Sequence, residues 1–337
     1  MDIAVIGITP VGCTVACLLS HAGHQVTIVG PENKVARIKA DGITVRQVWD
    51  GMIMTSAVGA ETRLSHTPEL VVFATRMQDT HAAAVQAGPF IDGATIATIQ
   101  YGTKPEQVVA RVLPRDNIIT CVLTMGATCY SPGEVTLNFK GHMVVGKAYD
   151  APEYRVDQVL AVMGKVFTAH KGYKVAHYNC TRLLLNLPYC IPAIIGEPVQ
   201  TTFMDPEMSR VAVLLLKEGI TVIEAAGVHI EPLPDFNENS LKALLAAPMD
   251  EAAVRFGEII VNMSKIPCQG PVLGSIEQGE LTEIDYINGE VANIARELGY
   301  PTPLNSLMAR LVHQVEKTGS FISRQEFLKN VEEAIQS

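Results

Sequence analysis

Charge is scarce in this chain of 337 residues: 18% of it is Asp, Glu, Lys or Arg, and 26 basic side chains face 35 acidic ones, for a formal net charge of -9. Affinity for nucleic acid comes mainly from clustered Lys and Arg, so no DNA or RNA partner is expected. The deficit does not exclude an anionic cofactor, because one helix N-terminus and a few placed cations make a local positive field inside a negative whole. Long apolar runs are missing too. Each is broken by Arg, Lys, Glu or Pro before about 18 residues, so no membrane span is expected. Residues 2–7 enter a strand pattern directly, where a signal peptide would place basic residues and then an apolar run. The seven cysteines (Cys13, Cys17, Cys121, Cys129, Cys180, Cys190 and Cys268) are odd in number, scattered and without a Cys-x-x-Cys pair. They read as reduced thiols of a cytoplasmic protein, not as a disulfide framework. The nine histidines contain no His-Glu-x-x-His, and Cys13 with Cys17 on one helix face reads as packing, so no metal site is expected. Gly-x-Ser-x-Gly and Walker-type loops are absent, as are internal repeats and low-complexity segments.

Against these absences stands a hydrophobic content of 48%, enough to bury a sizeable core and too apolar for disorder. Single cores stop growing near about 250 to 300 residues, so the length predicts two domains. Ile3 to Ile6 is an apolar run ended by Gly7, a helix-like stretch continues to about His21, and Gln25 to Val29 is a second run. Runs without alternation are buried on both faces, as in a parallel sheet. Thr44 to Val48, Leu70 to Ala74, Thr95 to Ile99 and Ile118 to Leu123 are further strands. Helices predicted over Thr80 to Ala87 and Lys104 to Leu113 complete a doubly wound α/β pattern. Two alternating stretches, Glu134 to Phe139 and His142 to Gly146, flank Lys140 and Gly141 and predict an antiparallel hairpin at a sheet edge. After about Gly172 the pattern turns helical, near 178–195, 207–226, 251–262, 283–298 and 304–316, with a looser stretch from Pro232 to Pro248 that admits a short helix. The expected division is an α/β domain over 1–172 and an all-α domain over 173–337.

The chemistry begins at the first turn. Gly7, Ile8, Thr9, Pro10, Val11 and Gly12 lie between a strand and a helix, where a glycine-rich turn lets the backbone approach a pyrophosphate and the helix N-terminus supplies partial positive charge. The usual middle glycine is Thr9, whose hydroxyl could serve a phosphate, and Pro10 lacks an N–H but suits a first helical turn. The plain alternative is that Gly7 and Gly12 only permit a tight turn and close helix packing. After the second strand the chain reads Gly30-Pro31-Glu32-Asn33-Lys34. This is neither the carboxylate that holds the ribose of NAD nor the Arg that takes the phosphate of NADP. Lys34 and Arg37 could hold a 2′-phosphate, Glu32 a ribose, and all three could be solvated surface charge.

Near the C-terminus the run Leu281-Thr282-Glu283-Ile284-Asp285-Tyr286-Ile287-Asn288-Gly289 closely matches the signature of the ketopantoate reductase family. Together with the N-terminal turn, Gly126-Ala127-Thr128 followed by Pro132-Gly133, Gly227-Val228 and the final helices, the chain resembles that family over nearly its full length. The resemblance implies a Rossmann domain followed by an all-helical domain like the C-terminal one of 6-phosphogluconate dehydrogenase. It also implies a cleft active site between them and reduction of a small 2-oxo acid with NADP as cofactor, NAD remaining open. The helical half would carry substrate and the contacts of a homodimer. The family's catalytic lysine and two asparagines, spaced four apart, fall on Arg182, Asn186 and Cys190, which become the candidates for substrate binding. Its lysine near the end of the fourth strand falls on Arg76, its Asn-Gly turn on Tyr101 and Gly102, and its substrate-binding serine on Pro271. Asn186 and Glu283 stand unaltered. Arg76, Tyr101, Gly102 and Glu283 join the first turn and Lys34 as cofactor-binding candidates, with Arg182 and Glu283 as the catalytic pair.

The residues bear these roles physically. Positions 182, 186 and 190 share one face if the helix is continuous, and Leu183, Leu184, Leu185 and Leu187 make the rest of it apolar. Polar groups on such a helix need polar partners: either a substrate carboxylate or carbonyl, or an internal pair such as Arg182 with Glu283. Hydride transfer to a carbonyl builds negative charge on oxygen. Arg182 could polarise that oxygen or grip a carboxylate in bidentate fashion, but with a pKa above about 12 it is a poor proton donor; water, Tyr178 or Tyr101 would then supply the proton. Thr282 with Glu283 and Asp285 also makes a good helix start, with Ile284, Ile287, Val291, Ile294 and Leu298 as its docking stripe. Two further readings stay open: reduction of a different carbonyl or an imine, and a nucleotide-binding redox sensor without turnover.

Overall fold

The runs of Val, Ile, Leu and Phe that open the chain lie in a sheet covered on both faces, as their lack of alternation requires. The structure is a computed structural model and describes residues 1–233 and 238–336. It forms two compact units, Met1–Asn179 and Cys180–Ser337.

In the first unit β1 (Asp2–Ile6), α1 (Pro10–His21) and β2 (Gln25–Val29) make a parallel β-α-β element. There follow α2 (Glu32–Asp41), β3 (Ile43–Gln47), β4 (Ile53–Ser56), β5 (Gly59–Glu61), β6 (Leu70–Phe73), α3 (Met77–Ala87), β7 (Thr95–Thr98), α4 (Pro105–Val109), β8 (Ile118–Ser131), β9 (Glu134–Gly146), α5 (Glu153–Met163) and β10 (Thr168–Lys171). The sheet order is β4-β3-β9-β8-β7-β6-β1-β2-β5, with β10 paired to β9. On one face Ile3, Val5 and Ile28 pack with Cys13 and Leu19 of α1 and Val159 of α5. On the other, Ala4, Ile6 and Phe73 pack with Ala84 of α3 and Val109 of α4. Because β1 has β2 on one side and β6 on the other, both parallel, the strand order reverses at β1. The carboxyl ends of β1 and β6 therefore form the topological switch point, where open α/β sheets bind ligands.

The hairpin expected at Lys140-Gly141 is not there. Residues 134–146 are one strand, β9, and the antiparallel reversal from β8 comes earlier, at Pro132-Gly133, where Gly133 has φ +88°. Gly141 instead sits in a bulge: Leu123 pairs with Met143 and Met125 with Lys140, so β9 spends one more residue than β8. A Cβ on Gly141 would lie 1.9 Å from the Thr124 carbonyl oxygen. The Thr124 hydroxyl closes the bulge, accepting from His142 N at 3.0 Å and donating to His142 O at 3.1 Å. A strand whose alternation is broken by a bulge looks, in sequence, like two strands. The short elements β4, β5 and β10 carry no apolar run and left no such mark; β10 is half-buried at one residue and exposed at the rest.

The second unit is helical, and its first helix begins in the last residues of the first unit. α6 (Val175–Asn186) leads to α7 (Cys190–Ile195), α8 (Val199–Phe203), α9 (Pro206–Ala225), α10 (Glu238–Ala246), α11 (Met249–Val261), α12 (Gly270–Glu277), α13 (Asn288–Leu298), α14 (Pro303–Thr318) and α15 (Arg324–Gln336). The single helix expected over 178–195 is broken by a 3-10 turn at Leu187–Tyr189, where Pro188 has no N–H to give. Of the looser stretch Pro232 to Pro248, residues 234–237 lie outside the described residues, and α10 accounts for most of the remainder. Glu218 of α9 caps α14, accepting from Leu304 N at 3.0 Å, Asn305 N at 2.7 Å and Asn305 Nδ2 at 2.8 Å. Asn305 Oδ1 in turn accepts from Asn288 Nδ2 at 2.9 Å, which also donates to Leu187 O at 3.2 Å. This buried network ties α9, α13 and α14 to the turn that follows α6. Among the described residues no helix is long and apolar enough to cross a membrane, and all seven cysteines are buried thiols outside any disulfide.

Candidate active site

The first turn is built by contact with β6. Gly7 has φ +121°, and a Cβ there would meet the Ala74 carbonyl and Thr75 N at 2.6 Å; a Cβ on Gly12 would sit 2.0 Å from Gly7 O. Both glycines let α1 start hard against the switch point. Thr9 needs no glycine, since its backbone is extended at φ -116°. Its hydroxyl, expected to face a phosphate, is engaged at both ends: it donates to Ala74 O at 2.8 Å and accepts from Gly12 N at 3.0 Å, capping α1 and tying it to β6. Pro10 occupies the first helical position, and Thr9, Pro10 and Val11 are half-exposed. What the turn offers an anion is the N-terminus of a twelve-residue helix.

The neighbouring strand ends are stitched to it. Arg76 precedes α3 with extended backbone; its Nε lies 3.4 Å from Asp79 Oδ2, and its carbonyl accepts from the Thr80 hydroxyl at 3.0 Å. Gln100, after β7, donates to Thr75 Oγ1 at 3.2 Å and Thr80 Oγ1 at 3.3 Å. This holds the half-buried Tyr101 and the buried Gly102, at φ +91°, beside the end of β6. Lys34 is half-buried in the first turn of α2, while Arg37 pairs with Asp41 of its own helix at 2.8 Å. One residue was invisible to sequence reasoning. β5 runs parallel to β2 with Glu61 opposite Val29, and Gly30 N donates to Glu61 O at 3.1 Å. Glu61 Oε1 accepts from Ser65 at 3.0 Å, while Oε2 is buried with no hydrogen-bond partner. A carboxylate thus stands beside the end of β2 although the β2 loop itself supplies none. A three-residue strand of Gly, Ala and Glu carries no signal that would have found it.

In the second unit α6 is buried almost all round: Leu183 is 3% exposed, Leu184 and Leu187 0%. Arg182 lies within it at 3% exposure and Asn186 at 8%. Asn186 Nδ2 donates to the Arg182 carbonyl at 2.7 Å, which commits one of its two N–H groups to its own helix. Cys190 is not carried on the same helix as Arg182 and Asn186, because the 3-10 turn Leu187–Tyr189 intervenes. It begins α7 in the hydrophobic core, its Sγ donating to Leu187 O at 3.1 Å, and burial pushes its thiol far up. Pro271 opens α12, and its carbonyl accepts from the Ser275 hydroxyl at 3.1 Å.

The signature run is not the start of a helix. Glu283 precedes a single 3-10 turn, Ile284–Tyr286, and α13 begins only at Asn288. Thr282 still satisfies a local donor, accepting from Ile284 N at 3.3 Å. Ile284, Ile287 and Val291 are buried as expected, but Leu298 is 41% exposed and Ala295 completes the buried stripe. Glu283 is left half-buried. No group of three or more His, Cys, Asp or Glu that could hold a metal occurs among the described residues.

Known proteins match this chain over most of its length. The family described as ketopantoate reductase PanE/ApbA matches residues 3–149, and its C-terminal counterpart matches residues 175–316. The 2-dehydropantoate 2-reductase of Halobacterium salinarum is 24% identical over 326 residues, covering 95% of this chain and 100% of that protein. The enzyme of the same name from Pyrococcus abyssi is 22% identical over 315 residues, covering 93% and 97%. Among solved structures, a PanE/ApbA family ketopantoate reductase from Ralstonia eutropha JMP134 superposes with TM-score 0.75 at 22% identity, covering 94% and 99%. D-mandelate dehydrogenase in ternary complex with NADH and anilino(oxo)acetate superposes with TM-score 0.78 at 17% identity, again covering 94% and 99%. With both halves matched by the family's own descriptions, the chain belongs to the ketopantoate reductase family.

Proposed function

We propose that this chain reduces a small 2-oxo acid to the 2-hydroxy acid at the expense of a reduced nicotinamide dinucleotide, as an oxidoreductase acting on a CH-OH group. The observation that carries the reading is a cation, Arg182, buried to 3% exposure on a leucine-lined helix at the position where the family has its catalytic lysine. A buried guanidinium is a strong binder of planar anions, and a 2-oxo acid brings both a carboxylate and a carbonyl oxygen that turns negative during reduction. The residues of the first unit fit a dinucleotide. The Gly7–Gly12 turn is a cradle that a Cβ would fill, and Glu61 Oε2 is a buried acceptor lacking a donor. The bound dinucleotide supplies the hydride. The chain's own part is to grip the carboxylate and stabilise the developing oxyanion through Arg182, and to orient the substrate through Asn186 Oδ1 or its second N–H. Glu283 serves as a hydroxyl acceptor. Because a guanidinium does not release its proton, the proton that completes the alcohol comes from water or a neighbouring hydroxyl.

The resemblance points to NADP, while one observation favours NADH. Glu61 puts negative charge beside the end of β2, where a 2′-phosphate would be repelled and a ribose hydroxyl would satisfy Oε2. The test is purified protein with NADPH or NADH and a panel of 2-oxo acids, followed by nicotinamide absorbance. We expect turnover, a fall in kcat/KM of about 10²- to 10³-fold in Arg182→Ala, and partial recovery in Arg182→Lys. Unchanged kcat/KM in Arg182→Ala rules out the assignment; dinucleotide binding without turnover on any 2-oxo acid points to a sensor.

A further inference from the structure

Glu283 rides on one 3-10 turn, a weak support for a side chain that must be held in place. What anchors the turn is a cluster outside it. On α14, His313 contacts a carboxylate through each ring nitrogen: Nδ1 lies 2.7 Å from Glu316 Oε2 and Nε2 2.8 Å from Asp285 Oδ1. The other oxygen of Glu316 accepts from the backbone N–H of Thr282 at 2.7 Å. Thr282 precedes Glu283 by one residue and Asp285 follows it by two, so both flanks of Glu283 are tied to the same pair of side chains on α14. An ionised carboxylate can only accept, and a neutral imidazole carries a single N–H. Two such contacts can both be hydrogen bonds only when His313 is the imidazolium.

We propose that His313, in its charged form, is a positioning residue that holds the signature turn and thereby Glu283, making the reductase activity sensitive to pH; this rests on the reading of Glu283 as a site residue. The charged groups facing it are Asp285 from the turn and Glu316 from its own helix. Burial by itself would lower the pKa of His313, but the hydrogen bonds and charges of the two carboxylates outweigh it and raise the group above its ordinary 6.5. A group whose folded pKa is raised contributes fully below its unfolded value and loses that contribution as the pH rises through the folded value. The clamp is therefore closed in weak acid and opens on the alkaline side of 6.5. Glu316 has the smaller exposure, 11% against 66% for Asp285, so the Glu316 side carries most of the hold and the Asp285 side is screened by solvent.

The experiment uses the full chain. The His313 ring resonance is assigned with His313→Gln and titrated by NMR, and kcat/KM is measured against pH for wild type, His313→Gln and His313→Lys. We expect a wild-type fall in kcat/KM through the measured His313 pKa. In His313→Gln, kcat/KM should be about three- to tenfold lower in weak acid, with that step gone. In His313→Lys, which keeps a cation across the range, activity should be restored and the step again absent. Asp285→Asn should lower the His313 pKa. A step that persists in His313→Lys, or a His313→Gln profile identical to wild type, overturns the proposal. If the chain shows no reductase turnover, hydrogen exchange of the 282–286 amides decides the matter independently: protection that falls through the His313 pKa and is low in His313→Gln supports the clamp, and protection indifferent to both sinks it.

Discussion

Replacing Gly12 by Ala is the most direct probe of the first turn. No unusual φ is required at Gly12, so the new residue pays nothing in backbone conformation and meets only a problem of space. Its Cβ would stand 2.0 Å from Gly7 O, 3.2 Å from Gly7 C and 3.3 Å from Ala74 Cβ. Ordinary contact starts near 3.4 Å, so the overlap with the carbonyl oxygen is about 1.4 Å. Gly7 has little room to yield, because its N–H is bonded to Val29 O at 2.8 Å and the backbone of Ala74 and Thr75 lies where a Cβ of its own would have to go. The start of α1 must therefore retreat by about an ångström, carrying the Gly12 N–H and the helix terminus with it. Overpacking of this kind costs roughly 1–3 kcal/mol, and a displacement of about 1 Å in a positioning group costs on the order of 10²-fold. Titration of NADH and NADPH by fluorescence should show affinity reduced by about 10- to 100-fold, with a lowered Tm. Gly23→Ala is the control. Gly23 follows α1 at its far end with φ +85° and nothing within 4 Å of a Cβ, so the strain lowers Tm by a comparable step while cofactor affinity stays within twofold. Wild-type affinity in Gly12→Ala refutes the assignment of this turn to the dinucleotide. Equal losses of affinity in both variants would show that stability alone was being read.

Three more expectations follow from particular contacts. Glu61→Gln removes the charge beside the end of β2 and should raise the affinity for NADPH relative to NADH by about tenfold, or ~1.4 kcal/mol; an unchanged ratio in paired titrations removes Glu61 from cofactor selection. Glu218→Ala strips the cap from α14 and leaves two backbone N–H groups without an acceptor, while Asn305 Nδ2 keeps only its longer bond to Leu215 O at 3.4 Å. It should cost about 2–4 kcal/mol in chemical denaturation, and a loss under 0.5 kcal/mol would mean that water replaces the carboxylate. Burial drives the Cys13 thiol up to about 12 and holds Cys190 well above its ordinary range. Both thiols should therefore resist alkylation in the native chain near pH 8 and react once it is unfolded; rapid native labelling of either would contradict its place in the core.

Periodicity and end signals made much of the architecture legible. The β1-α1-β2 element, with β2 at Gln25–Val29, and strands β3, β6 and β7 within a residue of their expected ends follow from unbroken apolar runs punctuated by glycine. The helical character of the second half follows equally from its repeating apolar stripes. The elements that carry the candidate site were legible from local sequence: Gly7 and Gly12 at a strand-to-helix turn, Arg182 and Asn186 four apart on a leucine-rich helix. Legibility failed where register or a distant partner decides. Cys190 starts a new helix after the 3-10 turn that holds Pro188, and Gly141 proved to be a bulge because Thr124 of another strand needed the room. Glu283 sits on a 3-10 turn held by His313 and Glu316, thirty residues or more along the chain.

Sequence alone determined the class of the long apolar segments, since burial on one face or two is written in the local spacing of apolar residues. Only the tertiary structure decided which groups became neighbours. The parallel pairing of β5 with β2 brought Glu61 beside Gly30, and the packing of α14 on the signature turn brought Asp285 to His313, which already has Glu316 one turn along its own helix. Hydrogen bonds and charges act over a few ångströms in space, whatever the separation along the chain, so no local pattern records them.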